Sequence, residues 1–519
     1  MPDFTKPATR NESGALEHST TTAFPRFWLY AAILALLISI AAACVAARNR
    51  PPWSDEGWFS SAAYNLAHNG FFGTTVVDGA DSGLTGIHQH TYWVMPLYLL
   101  AQALWYKILP ATLFFTRLLN IFLIPFALWG FYLFLSRLLR RTNTAGLAVC
   151  LLALSFIFID NAGFARPDFL CCTLGIWGLA AYLYLREKSL NWALFVANAF
   201  IAASGLTHPN GLLHFFGLLT LVLWYDRRRL SLSRLAIAAA PYFILGGIWL
   251  VYVFQDFPAF VAQMRANGTD NHRWTSTLNP FLIVWNEIRY RYFVAFGFIT
   301  RGVALVKAYA LAAYVAAIIG CLVDRRLRQR SSTRLLLVLL AVYFCVMSVF
   351  NQKLSYYLIH ILPFYIALLA VWCAHLWSVY PRARRFVAAG LLILVSVETG
   401  GILLKARKRS YVATQSTMIR FVHAHSSPSA RVVGSAALLY GLNFDPRLRD
   451  DYYLGTKSGR PPDVIIIGPL YRDIYEHYWN KERPAAMRKI DKRLSAYKLV
   501  FRNSDYQVYF RPDDPHAHL

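Results

Sequence analysis

Two adjacent acidic residues, Asp55 and Glu56, lie just beyond the first long apolar segment, and a third, Asp168, lies at the start of a later one. The chain has only 27 aspartates and glutamates against 52 lysines and arginines, so acids at these positions stand out. A carboxylate can accept a proton from a hydroxyl or an amine while another group leaves the reacting centre. In an adjacent pair, one acid can face a cleft while the second acid holds the first in its orientation. The sequence therefore predicts acid–base chemistry where membrane and water meet.

The same acids also fit purely structural roles. Asp55 and Glu56 precede the segment Gly57 to Asn69, which is predicted to form a surface helix, and acidic residues are favoured at helix starts. Asp168 follows Pro167, and a proline at the first turn with an acid beside it is an ordinary helix start. For the Asp55–Glu56 pair taken alone, both interpretations remain open.

Lys353, Tyr356 and Tyr357 form a second group of polar side chains at the start of an apolar segment. A lysine there can anchor a helix end at the membrane interface, and the tyrosines can belong to the aromatic belt. The same lysine can also hold a phosphate group, so these three residues are candidates for substrate binding.

Three histidines occur in predicted loops. His88 and His90 flank Gln89, but two histidines without a third ligand are a weak signal for a metal, and neither a metal nor a cofactor is predicted. They remain candidates for substrate binding. His208 lies in a predicted turn between two apolar segments, where it can donate a hydrogen bond to a phosphate.

The composition is that of a protein that crosses a membrane many times. Of the 519 residues, 57% are hydrophobic and only 15% are charged, with a mean hydropathy of +0.38. The net charge of +25 comes from short arginine clusters between apolar segments, which orient membrane proteins, so nucleic acid is not expected as a partner. The seven cysteines lie in or beside apolar segments and are interpreted as buried hydrophobic residues.

The apolar segments and the arginine clusters together predict eleven spans, with the amino terminus inside and the carboxyl terminus outside. The segment from Tyr92 to Leu109 is interpreted as a helix at the outer surface, because counting it as a span would move the later arginine clusters outward. The predicted spans lie at about residues 27–47, 113–136, 145–160, 169–186, 190–204, 210–225, 233–254, 301–323, 333–350, 355–378 and 384–404.

Three regions follow from this topology. Residues 1–24 are a cytoplasmic tail, and residues 25–404 are a helical transmembrane domain whose outer loop, residues 48–112, carries surface helices. Residues 405–519 are polar and contain strand-like runs, so they predict a small α/β domain outside the membrane. The strand-like runs lie at residues 431–434, 463–467 and 506–510, and a helical stretch lies near 471–494.

The order of these features resembles that of the C-type membrane glycosyltransferases, in particular the bacterial branch that is similar to protein O-mannosyltransferases and includes the lipid A aminoarabinose transferases. The resemblance covers about residues 27–404. It is carried by an acid pair in Trp53-Ser54-Asp55-Glu56-Gly57, by Pro96-Leu97-Tyr98, by Thr116-Arg117-Leu118, and by the stretch from Lys353 to Leu362-Pro363. Where the family usually has Lys-Pro-Pro before Leu-Tyr, this chain has residues 90–96, so His88 or His90 replaces that lysine or the contact is missing.

The resemblance implies an inverting transfer of a sugar from a polyprenyl-phosphate donor to a lipid, polysaccharide or protein acceptor, at the outer face of a bacterial inner membrane. Asp55 would then be the general base, and Glu56 and Asp168 would orient it or the acceptor. Lys353, with Arg117 and Arg166 as helpers, would hold the donor phosphate.

Two other classes of function compete with this one. A transporter or flippase of polyprenyl lipids would place charged or helix-breaking residues in the middle of its spans, whereas the charged candidates here lie at span ends. A non-catalytic membrane scaffold would tolerate replacement of the acids.

Overall fold

The computed structural model describes residues 26–78, 82–270, 273, 277–300, 302–407 and 409–512. The predicted cytoplasmic tail, residues 1–24, therefore lies outside the described residues. Helices dominate the chain up to residue 407, and several of them start with proline in the first turn, where the backbone N–H groups have no partner within the helix.

The longer helices of this part are α1 (Arg26–Asn49), α2 (Ser54–His68), α3 (Pro96–Ile108), α4 (Leu113–Phe122), α5 (Ile124–Leu139), α6 (Thr142–Ala153), α7 (Phe156–Ala162), α8 (Pro167–Leu185), α9 (Leu190–Thr207), α10 (Gly211–Asp226), α11 (Leu232–Val253), α12 (Phe257–Arg265), α13 (Pro280–Glu287), α14 (Ala308–Val323), α15 (Ser331–Val349), α16 (Leu362–Val379) and α17 (Arg384–Arg407). Shorter helical turns lie between them at Arg227–Arg229, Ala266–Asp270, Ile288–Tyr292, Phe293–Ala295, Gly302–Lys307, Arg325–Arg328, Ser355–His360 and Pro381–Ala383.

Among the described residues, nine helical segments are long and apolar enough to cross a membrane, and the bent pair of α6 and α7 raises this number to ten. The predicted class, a polytopic helical membrane protein with a small carboxyl-terminal sheet, is thereby confirmed. Helix α10 has 16 residues and falls short of the usual length of a span, so the predicted count of eleven stays a prediction. Helix α3 has 13 residues and is therefore only about 20 Å long.

The carboxyl-terminal part contains helix α18 (Ser416–His425) and a five-stranded sheet with the strand order β2-β1-β3-β5-β4. Strand β1 pairs in parallel with β2 and β3, while β5 runs antiparallel to both β3 and β4. The strands are β1 (Val432–Val433), β2 (Leu448–Arg449), β3 (Val464–Ile467), β4 (Lys498–Arg502) and β5 (Gln507–Phe510).

The helical stretch predicted near residues 471–494 is interrupted in the structure. It consists of α19 (Pro469–Asp473), the turns Ile474–Trp479 and Asn480–Glu482, and α20 (Pro484–Ser495). Pro484 explains the break, because proline cannot donate the hydrogen bond that a continuous helix needs at this position. Two other short turns, Tyr411–Gln415 and Ala436–Leu438, complete this part of the chain.

The outer loop and the carboxyl-terminal domain share one hydrophobic core. Val76, Val77 and Ile87 from the loop pack in the same cluster as residues of the sheet, including Val464 and Val508. The backbone N–H of Asp450 also donates to the carbonyl oxygen of Val76 at 2.7 Å. This shared core fixes the carboxyl-terminal domain against the loop that carries Asp55 and Glu56.

Candidate active site

Asp55, Arg166 and Asp168 form one charged group at the ends of two helices, which we call the rim cluster. Asp55 lies in the first turn of α2, and Arg166 immediately precedes α8. The Arg166 guanidinium pairs with the Asp55 carboxylate and also donates from Nε to Asp168 Oδ2 at 3.1 Å. The side chain of Asp55 is 20% exposed, against 7% for Arg166 and 0% for Asp168. Asp55 is therefore the acid of this cluster that a substrate could reach.

Glu56 lies in a different environment, together with Arg117 in what we call the buried clamp. The Arg117 guanidinium donates from Nε and Nη2 to the two Glu56 oxygens at 2.8 and 2.7 Å. The backbone N–H groups of Trp53 and Ala165 donate to the same carboxylate, each at 2.8 Å. Both side chains are fully buried. Burial alone would raise the pKa of Glu56, but Arg117 and these hydrogen bonds hold it below its usual range.

The remaining donors of Arg117 are also occupied. They bind the carbonyl oxygens of Ala47, Arg50 and Pro51, at the end of α1 and in the loop that follows it. Because Trp53 belongs to that loop and Ala165 precedes α8, the clamp ties α1, α4 and the starts of α2 and α8 together. Its geometry suits positioning of the rim cluster rather than contact with a substrate.

Tyr356 and Tyr357, in the turn Ser355–His360, contact the rim cluster from the other side. The Arg166 guanidinium lies over the Tyr356 ring, 4.0 Å from its centre, a cation–π contact. Burial alone would lower the pKa of Arg166, but Tyr356, Asp55 and Asp168 together raise it well above its usual value. Arg166 therefore stays cationic, and Tyr356 gives the rim cluster an aromatic wall.

His208 lies beside Asp168 and Tyr357. Its Nε2 is 3.9 Å from Asp168 Oδ1, and its ring centre is 5.4 Å from that of Tyr357. The backbone N–H of Asn210 donates to His208 Nδ1 at 3.1 Å, so in the neutral ring the proton is on Nε2 and faces Asp168. Burial lowers the pKa of His208 to about 4. The ring is therefore a neutral hydrogen-bond donor at physiological pH.

Lys353 lies in a second charged group with Glu287 and Arg291, which we call the cationic cluster. Lys353 Nζ is 2.9 Å from Glu287 Oε2 and donates to the carbonyl oxygen of Ser348 at 2.7 Å. Arg291 Nε is 2.6 Å from Glu287 Oε1. Burial lowers the pKa of Lys353, although Glu287 acts in the opposite direction. Two cations against one carboxylate leave the cluster with a surplus positive charge.

The cationic cluster and the rim cluster meet at the two tyrosines. The Arg291 guanidinium lies 5.7 Å from the centre of the Tyr357 ring, while Arg166 lies over Tyr356. The two rings are themselves 4.8 Å apart at their centres. Burial and Asp168 raise the pKa of Tyr357 to about 12, so its hydroxyl stays protonated and can donate.

His88 and His90 lie elsewhere in the outer loop. The His90 ring packs against Tyr92 and Tyr252, with ring centres 5.6 and 5.8 Å apart, and His88 is exposed. Within the part of the chain that the structure describes, no hydrogen bond, ion pair or ring contact joins either histidine to the rim cluster. The structure thus brings together the other candidates but not these two.

The sequence analysis missed several residues beside the site. Glu287 and Arg291 are spaced four residues apart, a spacing that pairs charges on one helical face and could have identified them. Asp160, which pairs with Arg50, is an isolated acid in an apolar segment, and such an acid is a recognisable signal. The contacts of Asp450 depend on the tertiary fold alone.

Asp450 connects the carboxyl-terminal domain to α2. Its carboxylate accepts hydrogen bonds from Trp58 Nε1 at 2.8 Å, Tyr471 at 2.8 Å and the backbone of Ala436 at 2.9 Å. Burial raises its pKa to about 6. A Cβ on Gly57 would lie 2.1 Å from the Ala436 carbonyl oxygen, so only glycine fits there. The domain thus packs directly against the helix that presents Asp55.

Cys171, His214 and His360 form a buried group whose ligand atoms lie within 4.8 Å of one another. The two imidazoles are hydrogen-bonded, with His214 Nε2 3.1 Å from His360 Nδ1. His214 Nδ1 also lies 2.9 Å from the Tyr343 hydroxyl, so the two imidazoles belong to a buried hydrogen-bonded network.

The fold is shared with solved membrane glycosyltransferases. The structure of ArnT from Cupriavidus metallidurans bound to undecaprenyl phosphate superposes with a TM-score of 0.60 at 13% identity, covering 94% of this chain and 98% of that one. The Archaeoglobus fulgidus oligosaccharyltransferase in complex with Zn and sulfate has a TM-score of 0.53 at 12% identity, covering 93% of this chain and 73% of that one. Both are C-type glycosyltransferases. The chain therefore has the C-type glycosyltransferase fold, as its sequence predicted.

Sequence comparison adds one curated relative. An uncharacterized protein of Aquifex aeolicus (strain VF5) is 27% identical over 209 residues, which are 38% of this chain and 39% of that protein. The match thus spans well under half of the relative. No protein-family model matches the chain.

Proposed function

We propose that this protein is an inverting glycosyltransferase that moves a sugar from a polyprenyl-phosphate donor to an acceptor at the outer face of the membrane. The observation that carries the proposal is the partly exposed Asp55 carboxylate, held by Arg166 at the ends of two helices. The fold supports it, and so does the ArnT structure, which is bound to undecaprenyl phosphate. The acceptor would be a lipid, a polysaccharide or a protein.

In the proposed reaction, a hydroxyl or amine of the acceptor attacks the anomeric carbon from the face opposite the phosphate. The bond between acceptor and sugar forms while the bond from the anomeric carbon to the phosphate oxygen breaks, and this oxygen keeps the electron pair. The proton of the acceptor passes to Asp55, which acts as general base. Attack from the opposite face inverts the configuration of the sugar.

The donor phosphate would bind where the two tyrosines separate the clusters. Arg166 and the cationic cluster around Lys353 would stabilise the charge that develops on the leaving phosphate, and the Tyr357 hydroxyl and His208 Nε2 can donate hydrogen bonds. Asp168 would orient Arg166 and His208, both of which it approaches.

Glu56 and Arg117 receive a positioning role in this proposal. Each is fully buried, and their charged groups bind each other and the backbone. They would therefore act by fixing the starts of α2 and α8. His88 and His90 would contribute only if a substrate extends along the outer loop.

Replacing Asp55 tests the proposal directly. In a strain that lacks the gene, we expect a lipid-linked glycan or glycoprotein that has lost one sugar, detectable by mass spectrometry. Wild-type protein should restore the sugar, whereas Asp55→Asn should slow transfer by about 10² to 10⁴-fold, the usual cost of losing a general base. Asp473→Asn, an acid with a 60% exposed side chain, is the matched control. Full restoration by Asp55→Asn would move the base to Glu56 or end the enzyme hypothesis.

The proposed sidedness has its own test. We propose a bacterial inner membrane protein with a cytoplasmic amino terminus and an extracytoplasmic carboxyl-terminal domain, because the arginine clusters then face inward. Single cysteines introduced near residues 80 and 460 should react with an impermeant reagent from outside, and one near residue 140 only from inside. Labelling of the sites near 80 and 140 from the same side would make the segment around α3 a true span.

A further inference from the structure

A cavity of about 1470 Å³ opens between helix ends far from the rim cluster. Helix α8 starts beside Arg166 and Asp168, and its last residues, including Leu183, line this cavity. Since α8 has 19 residues, the two sites are separated by a helix length of about 28 Å. Phe27 and Trp28 at the start of α1 also line the cavity, whereas the end of α1 is held by the buried clamp. The cavity therefore faces the opposite side of the membrane.

The charge of the cavity lining is strongly positive. Four arginines line it, Arg137, Arg140, Arg141 and Arg186, against one acid, Glu187. Arg186 is bound by Asp226 at 2.8 Å, and Arg140 lies 3.9 Å from Glu187.

Arg137 and Arg141 differ from the other two arginines. Within the described chain, neither has a carboxylate within ion-pair distance; Arg137 instead lies over the Tyr184 ring, 4.0 Å from its centre. Both side chains are exposed, so their charge is available to a ligand. A second cavity of about 480 Å³ shares Arg140 and Arg141 with the first and adds Arg330.

The rest of the lining is apolar and aromatic. Trp129, Leu133, Leu147 and Leu391 belong to it, together with Trp377. Trp129 and Trp377 are 55% and 46% exposed, as expected of side chains that face lipid at a membrane interface. A ligand that fits this lining has an anionic head for the arginines and an apolar tail for the opposite wall.

We propose that this cavity binds one anionic phospholipid from the leaflet opposite the rim cluster. One guanidinium group can donate two parallel hydrogen bonds to the oxygens of a phosphate. Basic pockets between membrane helices suit anionic lipid head groups. A soluble phosphate would use the arginines but leave the apolar wall without a partner, which favours the lipid. The site is independent of the proposed transfer reaction, because it lies at the other end of α8.

Lipid retention by the purified full-length protein tests the proposal. The protein is exchanged into mixed micelles with equal amounts of phosphatidylglycerol and phosphatidylcholine, and bound lipid is counted by native mass spectrometry. We expect one retained phosphatidylglycerol per chain. The double variant Arg137→Gln/Arg141→Gln should retain it roughly 10- to 30-fold more weakly, because each arginine near an anionic head group contributes substantially to binding. The variant Arg227→Gln/Arg228→Gln is the matched control, since these arginines follow Asp226 on the same side but do not line the cavity.

Several results would overturn the proposal. Equal retention by wild type and the Arg137/Arg141 variant would show that the cavity does not select the lipid. If the Arg227/Arg228 variant weakened lipid retention equally, the effect would come from the overall positive charge on this side of the protein and not from the cavity. Displacement of the lipid by inorganic phosphate would make this a phosphate site. A rise in lipid retention in Glu12→Gln/Glu17→Gln would instead make the chain's own amino-terminal tail the occupant, through these two acids.

Discussion

Asp55 and Glu56 are neighbours in the sequence, yet the rim cluster and the buried clamp place them in opposite situations. Asp55 keeps a fifth of its side chain exposed and has one cationic partner, whereas Glu56 is fully buried and has four hydrogen bonds. Adjacent positions at a helix start point about 100° apart around the axis, so one faces the cleft and the other faces the protein. In this pair, Asp55 is therefore placed where it could act on a substrate, and Glu56 is placed where it holds the structure together.

The pH behaviour of Glu56 follows from this difference. Burial acts against the Glu56 carboxylate, but Arg117 and the backbone donors lower its pKa below the unfolded value. A carboxyl group whose folded pKa is lowered stabilises the protein above its unfolded pKa, and this contribution is lost as pH falls through the folded pKa. The clamp is therefore a source of stability at physiological pH.

The largest expected effect is a difference between the buried clamp and the rim cluster in how much each contributes to the stability of the protein. Glu56→Gln should reduce the free energy of unfolding by roughly 3 to 5 kcal/mol, because it leaves the Arg117 charge buried without its partner. Asp55→Asn should change that free energy little, since its site is partly exposed, while it slows transfer by about 10² to 10⁴-fold. SDS titration of each purified variant in mixed micelles measures its free energy of unfolding. A transfer assay on the same protein measures its activity. A stable Glu56→Gln protein with impaired transfer would instead give Glu56 a chemical role.

A second prediction extends the comparison to His208, whose side chain is 15% exposed and lies 3.9 Å from Asp168. Its folded pKa of about 4 lies below its unfolded value of 6.5, so the unfolded state binds the proton first as pH falls. Wild type should therefore lose up to roughly 3 kcal/mol of stability between about pH 6.5 and pH 4 from this group. His208→Gln should remove this loss, whereas His477→Gln, at a 67% exposed side chain, should not. Identical pH profiles for His208→Gln and wild type would contradict the assignment.

The membrane fold was predictable from the sequence because its signals are local. Continuous apolar segments mark the helices, and prolines at first turns, such as Pro96 and Pro167, mark where helices start. Strands β1, β3 and β5 lie within the strand-like runs predicted at residues 431–434, 463–467 and 506–510. Strand β2 has two residues, and β4 has a bulge beside Leu499, so neither had a clear pattern.

The sequence named the residues proposed for the site, but it did not show how they pair. Asp55 and Arg166 are 111 positions apart, and no local signal shows that they meet. The resemblance named both, but the division between rim cluster and buried clamp needed the packing of α1, α4 and α8. Lys353 was predicted to bind the donor phosphate, and the structure adds that it pairs with Glu287. A paired lysine must share its charge, which changes the size of the effect expected from its removal.

The smallest expected effect concerns Lys353, which lies apart from both acids but would serve the same reaction. If Lys353 binds the donor phosphate, Lys353→Gln should weaken donor binding about 10- to 100-fold, because a charge-assisted hydrogen bond contributes about 1.5 to 3 kcal/mol. Because Lys353 is paired with Glu287, we expect a weakening of donor binding near the lower end of this range. Folding should survive, since Arg291 still pairs with Glu287 at 2.6 Å.

Lys353→Arg should retain part of the affinity, because its charge survives although its shape does not. Lys107→Gln, at an exposed lysine at the end of α3, is the matched control and should bind donor like wild type. Affinity for a polyprenyl-phosphate sugar, measured on purified protein in lipid nanodiscs, decides the matter. Equal affinity in Lys353→Gln and wild type would leave the phosphate to Arg166 at the rim cluster and reduce Lys353 to an interfacial anchor. A loss of donor affinity in Lys353→Gln but not in Lys107→Gln would support one donor site formed by the cationic cluster and the rim cluster, with Tyr356 and Tyr357 between them.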